Sequence, residues 1–213
     1  MTTPTSQCAA PKSRGRKSTF DRDAALKTAL DLFWRHGFES VSIADLCLAI
    51  GIAAPSLYHA FGSKTDLYRE VLRLYAAGNL TGEEIAATPC AYSAVKLMLE
   101  RGIAIVTQPD KPVGCMISSG MLMVGVENAE MAAELRKMRA EFREMLELRI
   151  ARDVKAGVLP QTTDSASLAR FYATVLQGLS VAAVDGATRG DLHSVMLAAL
   201  QAWPVAKGKL PKQ

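Results

Sequence analysis

The chain has 213 residues with a formal net charge of +4, and 49% of its residues are hydrophobic. This composition excludes disorder along the whole chain and is typical of a soluble globular protein with one large or two small domains. Residues 1–19 are polar and lack the apolar stretch of a signal peptide, so we expect a cytoplasmic protein. The longest apolar run, residues 113–126, is shorter than the ~20 residues that span a bilayer. We expect this run to form a buried core helix.

Four cysteines are spread along the chain, without a C-x-x-C pair and without clustered histidines: Cys8, Cys47, Cys90 and Cys115. This spacing predicts neither a disulfide framework nor a zinc site. The three histidines are equally scattered, and the sequence has no P-loop and no dinucleotide-binding glycine motif. We therefore expect no catalytic residues, no metal and no cofactor, and we do not predict an enzyme.

Residues 1–19 are predicted to form a flexible basic arm. The arm carries Lys12, Arg14, Arg16 and Lys17, and no acidic residue precedes Asp21. Two interpretations remain open at this point: a solvated tail, or an arm that reaches onto phosphates or into a minor groove of DNA. Residues 205–213 make a second, shorter basic tail.

Apolar spacings of three and four predict four helices in residues 20–78. They run from about Asp21 to His36, from Ile43 to Ile50, from Pro55 to Phe61 and from Thr65 to Gly78, with Ser42 and Ser63 as N-caps. Two short helices that follow a longer one, with a tight turn between them, are the parts of a helix-turn-helix. A generic three-helix packing unit has the same pattern, but the basic arm and the lack of acid on the third helix favour DNA binding.

Spaced residues in this region resemble the DNA-binding domain of tetracycline-repressor-type (TetR family) transcriptional regulators. The matching positions are Gly37-Phe38, Val41-Ser42-Ile43-Ala44-Asp45-Leu46, Gly51-Ile52, Ser56-Leu57-Tyr58, Phe61 and Ser63-Lys64. The resemblance covers residues 20–75, and it is specific because several spaced positions agree at once. It implies an all-α protein in which a helix-turn-helix domain, residues 20–78, precedes a larger helical ligand-binding and dimerisation domain, residues 79–204.

Most contacts of a helix-turn-helix go to phosphates, and a few side chains of its second short helix reach base edges. Ser42, Tyr58, His59 and Lys64 carry groups suited to phosphate contact, and their resemblance to family positions supports that role. The alternatives are packing of the Tyr58 ring in the core and a His59 that only faces solvent.

Direct base readout is predicted to be sparse. Ser56 and the methyl groups of Ala53 and Ala54 are the candidates, and none supplies the bidentate bonds by which Arg reads guanine or Asn reads adenine. The segment departs from the family pattern, which often has serine, lysine and glycine at positions 53–55 and histidine at position 60. We therefore expect the arm, with Arg14, Arg16 and Lys17, to add specificity in a narrow, A/T-rich minor groove.

Beyond residue 78 the pattern remains helical, after a loop around Gly82. Besides the run 113–126, helices are predicted from about Ala91 to Gln108, Ala129 to Ala156, Ser165 to Asp185 and Asp191 to Trp203. We expect the last two to pair with their symmetry mates in a homodimer, because small and apolar residues let helices approach. Those residues are Ala169, Tyr172, Leu176, Ala183, Met196, Ala199 and Leu200.

Candidate ligand-binding residues lie in the same part of the chain: Met98, Cys115, Ser119, Met123, Phe142 and Tyr172. Methionine adapts to irregular apolar ligands, although it fills gaps in a core equally well. Serines inside the run 113–126 would supply the few polar groups that a small-molecule pocket needs. Cys115 lies near the start of that predicted helix, where the helix dipole would favour the reactive thiolate. A buried, inert Cys115 is the alternative.

These features predict a sequence-specific DNA-binding transcriptional regulator. Its expected mode is repression, with release from a double-stranded DNA operator by a small apolar effector. One alternative is a regulator that senses electrophiles or oxidants through Cys115. A helical protein-interaction scaffold is the alternative from another class, since it would use the same amphipathic faces without needing the basic arm.

Overall fold

The computed structural model describes residues 20–204, and the predicted arm 1–19 and tail 205–213 lie outside the described residues. Within residues 20–204 the chain forms nine α-helices and no strand: α1 Arg22–Ser40, α2 Ile43–Ile50, α3 Ala54–Phe61, α4 Lys64–Ala77, α5 Gly82–Ala87, α6 Ala91–Val106, α7 Ala129–Lys155, α8 Ser165–Val184 and α9 Arg189–Gln201. A short 3-10 helix, Val126–Asn128, precedes α7. The all-α prediction is confirmed.

Local capping explains the first three helices. At Gly37 the backbone takes a φ of 76°, which breaks the helical geometry of α1 where the sequence predicted its end. The Ser42 side chain accepts from the backbone of Asp45, whose carboxylate in turn accepts from the backbone of Ser42, so α2 begins with a complete capping box. Gly51 ends α2 in the left-handed conformation, with a φ of 78°.

The first core holds α1 to α4 together through aromatic rings. Phe33 packs edge-on against Tyr68, with ring centroids 5.0 Å apart, and Trp34 packs against Tyr75 at 4.9 Å. Leu57 of α3 is fully buried in the same core. Because α1 and α4 supply most of these rings, the exposed sides of α2 and α3 are free to face a partner.

The second core lies between α6, α7, α8 and α9. Its largest fully buried side chain is Tyr172, whose hydroxyl donates to the backbone carbonyl of Ala199 at 3.0 Å and whose ring lies 5.5 Å from that of Trp203. This arrangement corrects part of the predicted dimer contact. The residues expected at the interface are Ala169, Tyr172, Leu176, Ala183, Met196, Ala199 and Leu200. Six of these seven are buried within the single chain, and the seventh, Leu176, lines a cavity.

Residues 113–126 do not form the predicted buried helix. From residue 107 to residue 125 the chain runs in turns and bends, and we call this stretch the connecting segment. Gly114 has a φ of 91° and Met121 a φ of 51°, which are not helical values. Met123 and Val126 are 92% and 91% exposed. The apolar run is therefore an irregular connection, and the expected helix start at Cys115 does not exist.

The remaining helix bounds follow the predictions closely, with one addition. Residues around Gly82, predicted as a loop, form the short helix α5. Its start is a capping box in which Thr81 and Glu84 exchange side-chain and backbone hydrogen bonds. The sequence signal was therefore present at the helix start.

A buried ion pair ties α7 to the beginning of α6. Arg149 and Asp153 are 6% and 5% exposed, and a guanidinium nitrogen of Arg149 lies 2.5 Å from the Asp153 carboxylate. The other Asp153 oxygen accepts from the backbone N–H of Ala91 at 2.6 Å, while Arg149 also donates to the Thr88 carbonyl at 3.1 Å. Removing one partner would leave the other charge buried without compensation.

We predict that Asp153→Asn lowers the free energy of unfolding by about 3–5 kcal/mol, because it leaves the Arg149 cation uncompensated. Urea unfolding at one fixed protein concentration measures the change. Glu100→Gln is the matched control, since it breaks an exposed i,i+4 pair with Lys96 and should cost about 0.5 kcal/mol or less. Equal effects of the two substitutions would show that the buried pair does not stabilise the fold.

Candidate nucleic-acid interface and ligand cavity

Helices α2 and α3 meet at a bend of 95° across the short turn that begins at Gly51. Leu57 and Phe61 anchor one side of α3 in the first core, which leaves the rest of this helix at the surface. Pro55 stands in the first turn of α3, and no side chain caps the helix start at Ala53. The geometry is that of a helix-turn-helix with an accessible second helix.

The structure places the predicted DNA contacts around this second helix. Ala53, Ser56, Tyr58 and His59 are exposed, and Ala54 is half-buried. Tyr58 has 48% of its surface exposed, so its ring is not a core element. Ser42 is exposed at the start of α2, although its hydroxyl is engaged with the Asp45 carboxylate at 2.6 Å. Arg14, Arg16 and Lys17 lie outside the described residues.

Lys64 begins α4 beside the helix-turn-helix. Its ammonium lies 4.3 Å from the centre of the Phe38 ring, and the side chain is half-buried. Burial lowers the pKa of Lys64, while the carboxylates of Glu39 and Asp45 oppose that shift. The cation is thus held against an aromatic face instead of extending freely into solvent.

A cavity of about 380 Å³ lies between α4, α6, α7, α8 and the connecting segment. Of the six predicted ligand residues, Met98, Cys115 and Phe142 line it. The other three do not. Ser119 lies in the connecting segment with its hydroxyl bonded to the Cys115 carbonyl at 2.8 Å, Met123 points to solvent, and Tyr172 is sealed in the second core. The sequence places Ser119 and Met123 in a pocket only if residues 113–126 form a helix, and the structure has no α-helix there.

Several cavity residues were not foreseen. They are contributed by the end of α4 and the turn after it, by α6, by the middle of α7 and by α8: Ala76, Asn79, Gly102, Ile105, Met138, Arg139, Leu176 and Gln177. Arg139 stands out because it is the charged group on this wall that reaches the connecting segment. No sequence signal separates it from the other charges of α7, since acidic and basic residues alternate along that helix.

The comparisons with known proteins agree on one family. Residues 25–71 match the model of bacterial regulatory proteins of the tetR family. Over 208 residues the chain is 34% identical to the HTH-type transcriptional repressor ComR of Escherichia coli strain K12, covering 96% of this chain and 98% of that protein. The chain belongs to the TetR family. Its members are DNA-binding transcription factors and not enzymes, so the scaffold alternative is set aside.

Two further relatives are similar to this chain over most of its length, and not only over the helix-turn-helix. A cysteine-substituted variant of the TetR family regulator CifR, solved in complex with a 26-base-pair operator duplex, has 39% sequence identity and a TM-score of 0.82, over 89% of this chain and all of that chain. The repressor BdcR of Escherichia coli strain K12 is 29% identical over 178 residues, 81% of this chain and 83% of that protein. This TetR chain is therefore a DNA-binding transcriptional regulator with α2 and α3 as its helix-turn-helix.

In this regulator the connecting segment is bonded to the DNA-binding helices on one side. The indole N–H of Trp34 donates to the Gly114 carbonyl at 3.0 Å. The Glu39 carboxylate accepts from the backbone of Gly125 at 3.1 Å and from the Asn128 amide at 2.8 Å. These two bonds, the Asn128 bond first, lower the pKa of Glu39. Glu39 therefore strengthens this contact at neutral pH, and the contribution is lost as the pH falls through the lowered pKa.

On its other side the connecting segment is bonded to the helices around the cavity. The backbone N–H of Cys115 donates to the Ser180 hydroxyl at 2.9 Å. A guanidinium nitrogen of Arg139 donates to the carbonyls of Ile117 at 2.7 Å and of Gly120 at 3.1 Å. The segment thus joins the cavity wall to α1 through hydrogen bonds with Ser180 and Arg139 on one side and with Trp34 and Glu39 on the other.

Helix α4 makes a second connection. Arg69 lies 2.6 Å from the Glu134 carboxylate and 3.0 Å from that of Glu130, both on α7. The Glu134 carboxylate raises the pKa of Arg69. Farther along α4, Ala76 lines the cavity, so one helix touches both the first core and the cavity. Helix α4 therefore connects the DNA-binding part of the chain to the cavity.

We predict that Lys64→Met weakens binding to all duplex sequences about equally. The slope of log K against log salt concentration should become less negative by about 0.9, the value for one phosphate contact. Methionine keeps an apolar stem over Phe38, so the fold is expected to tolerate the change. Fluorescence anisotropy over a series of salt concentrations measures the slope. Lys96→Met on α6 is the control and should leave the slope unchanged. A wild-type slope in Lys64→Met would exclude the phosphate contact.

Proposed function

We propose that this regulator represses transcription as a homodimer on a pseudo-palindromic operator, and that a small apolar ligand in the cavity releases it. The observation that carries the proposal is the connecting segment, which lines the cavity at Cys115 and is bonded to α1 at Trp34. A ligand that favours a displaced connecting segment would also favour a different position of the DNA-binding helices. A ligand that binds both arrangements equally would change nothing.

In this proposal the chain divides by function. Residues 20–78 bind DNA, and residues 79–204 bind the ligand and form the dimer. The basic arm, residues 1–19, adds DNA contacts, and residues 205–213 are a basic tail. The two parts do not have separate hydrophobic cores. Met116, Met121 and Leu135 belong to residues 79–204, yet they pack into the first core with α1 to α4. We also propose that the protein acts in the cytoplasm, where its operator lies.

We assign each proposed DNA contact to phosphates, base edges or the minor groove according to the chemistry of its side chain. Ser42, Tyr58, His59 and Lys64 contact phosphates, and Ser56 with the methyl groups of Ala53 and Ala54 touches base edges. The exposure of Tyr58 and His59 supports the first group. Since α3 presents neither Arg nor Asn, base-specific bonds are few, and Arg14, Arg16 and Lys17 are assigned to the minor groove.

The proposed dimer interface is the exposed apolar face of α8 and α9. Phe171, Val181 and Val184 of α8 and Val195 and Leu197 of α9 are each between 42% and 60% exposed. Helix α8 is apolar and long enough by composition to cross a membrane, while its other face packs against α6, α7 and α9. An apolar helix with one packed and one open face is typical of a core helix completed by a partner.

Selection of bound sequences from random duplex DNA tests the proposed function. We expect an enriched site with two inverted half-sites whose centres lie ~34–36 Å, or a multiple of this distance, apart. Small molecules related to the genes beside the mapped sites are then screened for release. Enrichment of no sequence would exclude specific binding, and release by a molecule that does not bind in the cavity would exclude the cavity as the effector site.

We predict that Val181→Glu dissociates the dimer, because a carboxylate cannot be buried against an apolar partner face without compensation. Sedimentation equilibrium at micromolar concentration measures the assembly. Val158→Glu is the control, since Val158 is 54% exposed but lies in the turn after α7. A dimeric Val181→Glu protein would place the interface elsewhere.

A second candidate is a regulator that senses electrophiles through Cys115. The thiol lines the cavity, and its sulfur accepts from the Ser118 backbone N–H at 3.4 Å. The buried hydroxyl of Tyr75 has no hydrogen-bond partner in the described chain, and burial together with the nearby Cys115 raises the pKa of that phenol. The helix dipole that the sequence suggested is absent, because residues 113–125 form no helix.

We predict that Cys115→Ser leaves operator binding and the response to a non-reactive ligand within about twofold of wild type, because serine keeps the size of the side chain. N-ethylmaleimide is the probe for the alternative. Release of the wild-type protein by this reagent, together with resistance of Cys115→Ser but not of Cys47→Ser, would favour the thiol sensor.

A further inference from the structure

The cavity contains a cation without an acidic partner. Arg139 projects from the middle of α7 into the cavity wall and forms no ion pair with any residue from 20 to 204. Its contacts are with backbone carbonyls, those of Ile117 and Gly120. Burial first, and the neighbouring cation of Arg136 second, lower the pKa of Arg139. An arginine nevertheless stays protonated at neutral pH, so the wall carries an unneutralised positive charge.

The hydrogen bonds of Arg139 leave one edge of its guanidinium open. Both carbonyls accept from the same nitrogen, Nη1. Among the described residues, none accepts from Nε or Nη2. That edge presents two parallel N–H donors, which is the geometry that binds a carboxylate through two hydrogen bonds at once.

The other charged groups of the cavity are already paired. Arg101 lies 3.2 Å from the Glu84 carboxylate, and Glu141 lies 3.7 Å from the ammonium of Lys137. The neutral polar groups on the wall include Asn79 and Gln177. The charge of Arg139 therefore dominates the electrostatic character of the cavity, and it favours an anion.

The rest of the wall is mostly apolar. Met98, Ile105, Phe142, Met145 and Leu176 come from three helices and enclose the space around Arg139. Such a wall stabilises an apolar body, whereas a fully polar anion would lose its hydration without compensation.

We propose that the ligand of this cavity is an apolar carboxylic acid, whose carboxylate binds the open edge of Arg139. This inference rests on the proposed function and names the chemical class of its ligand. The carboxylate draws the guanidinium, whose Nη1 holds the carbonyls of Ile117 and Gly120, toward the ligand. Binding therefore loosens the connecting segment, which is bonded to α1 at Trp34 and at Glu39.

Two matched pairs of probes test the charge requirement: octanoate with 1-octanol, and 2-naphthoate with 2-naphthamide. In each pair the apolar body is constant and the carboxylate is present or absent. Isothermal titration calorimetry on the full chain measures binding, and anisotropy of the selected operator measures release. We expect the wild-type protein to bind at least one acid with a Kd below about 1 mM and about tenfold more tightly than its neutral partner.

Variants assign the effect to Arg139. Arg139→Gln is expected to bind acid and neutral partner equally, and Arg139→Lys, which keeps the charge, is expected to retain part of the preference. Arg143→Gln is the matched control, because it removes an arginine of the same helix that does not line the cavity. Arg143→Gln is expected to keep the wild-type preference. The two Arg139 variants together keep the test valid if Arg139→Gln does not fold.

Three results would overturn the inference: no binding of either acid, equal binding of acid and neutral partner by the wild-type protein, or an undiminished preference in both Arg139 variants. Binding of an acid at Arg139 without any loss of operator affinity would support the anion site and overturn ligand release. A protein that binds the acid but no operator would overturn the proposed function alone.

Discussion

The arrangement of this regulator depends on the hydrogen bonds of one irregular segment. A buried backbone must satisfy its N–H and C=O groups, and helices do so internally, whereas residues 107–125 form no helix and make few such bonds among themselves. The missing partners come from both cores: Trp34 and Glu39 on the DNA-binding side, Ser180 and Arg139 on the cavity side. The Cys115 side chain packs against both cores as well. Because the same segment completes the cavity and is bonded to α1, the DNA-binding part and the proposed ligand site share one structural element.

Much of the DNA-binding part was predictable because its signals are local. The Ser42 capping box, the left-handed Gly51 and the break at Gly37 are short-range features whose physical cause lies within a few residues. Helix α2 was therefore predicted with its observed bounds, Ile43–Ile50. The Thr81 capping box is the same kind of signal and marks the start of α5. The neighbouring Gly82 and Pro89 nevertheless predict a loop there.

The sequence predictions that the structure contradicts concern features that only tertiary contacts decide. Apolar composition made residues 113–126 look like a core helix, but a short apolar run does not reveal whether it is helical. At Gly120 an added Cβ would lie only 1.9 Å from the Met116 carbonyl oxygen, so the chain there follows a path reserved for glycine. In α8 both faces are apolar, and periodicity alone did not show that Tyr172 faces the core while Phe171 faces solvent. The role of Arg139 was hidden for the same reason, since its partners are carbonyls of a segment whose path was unknown.

The energies involved are of the right size for control by a small molecule. Coupling between effector and operator in regulators of this kind needs about 1–3 kcal/mol. A hydrogen bond from a charged group contributes about 1.5–3 kcal/mol, so weakening one of the carbonyl bonds of Arg139 is a change of that order. The opposite end of the connecting segment is held by a few bonds only, from Trp34 and to Glu39. In the proposed mechanism, this segment with few bonds at each end takes two discrete arrangements, and a modest difference in ligand affinity between them moves the DNA-binding helices.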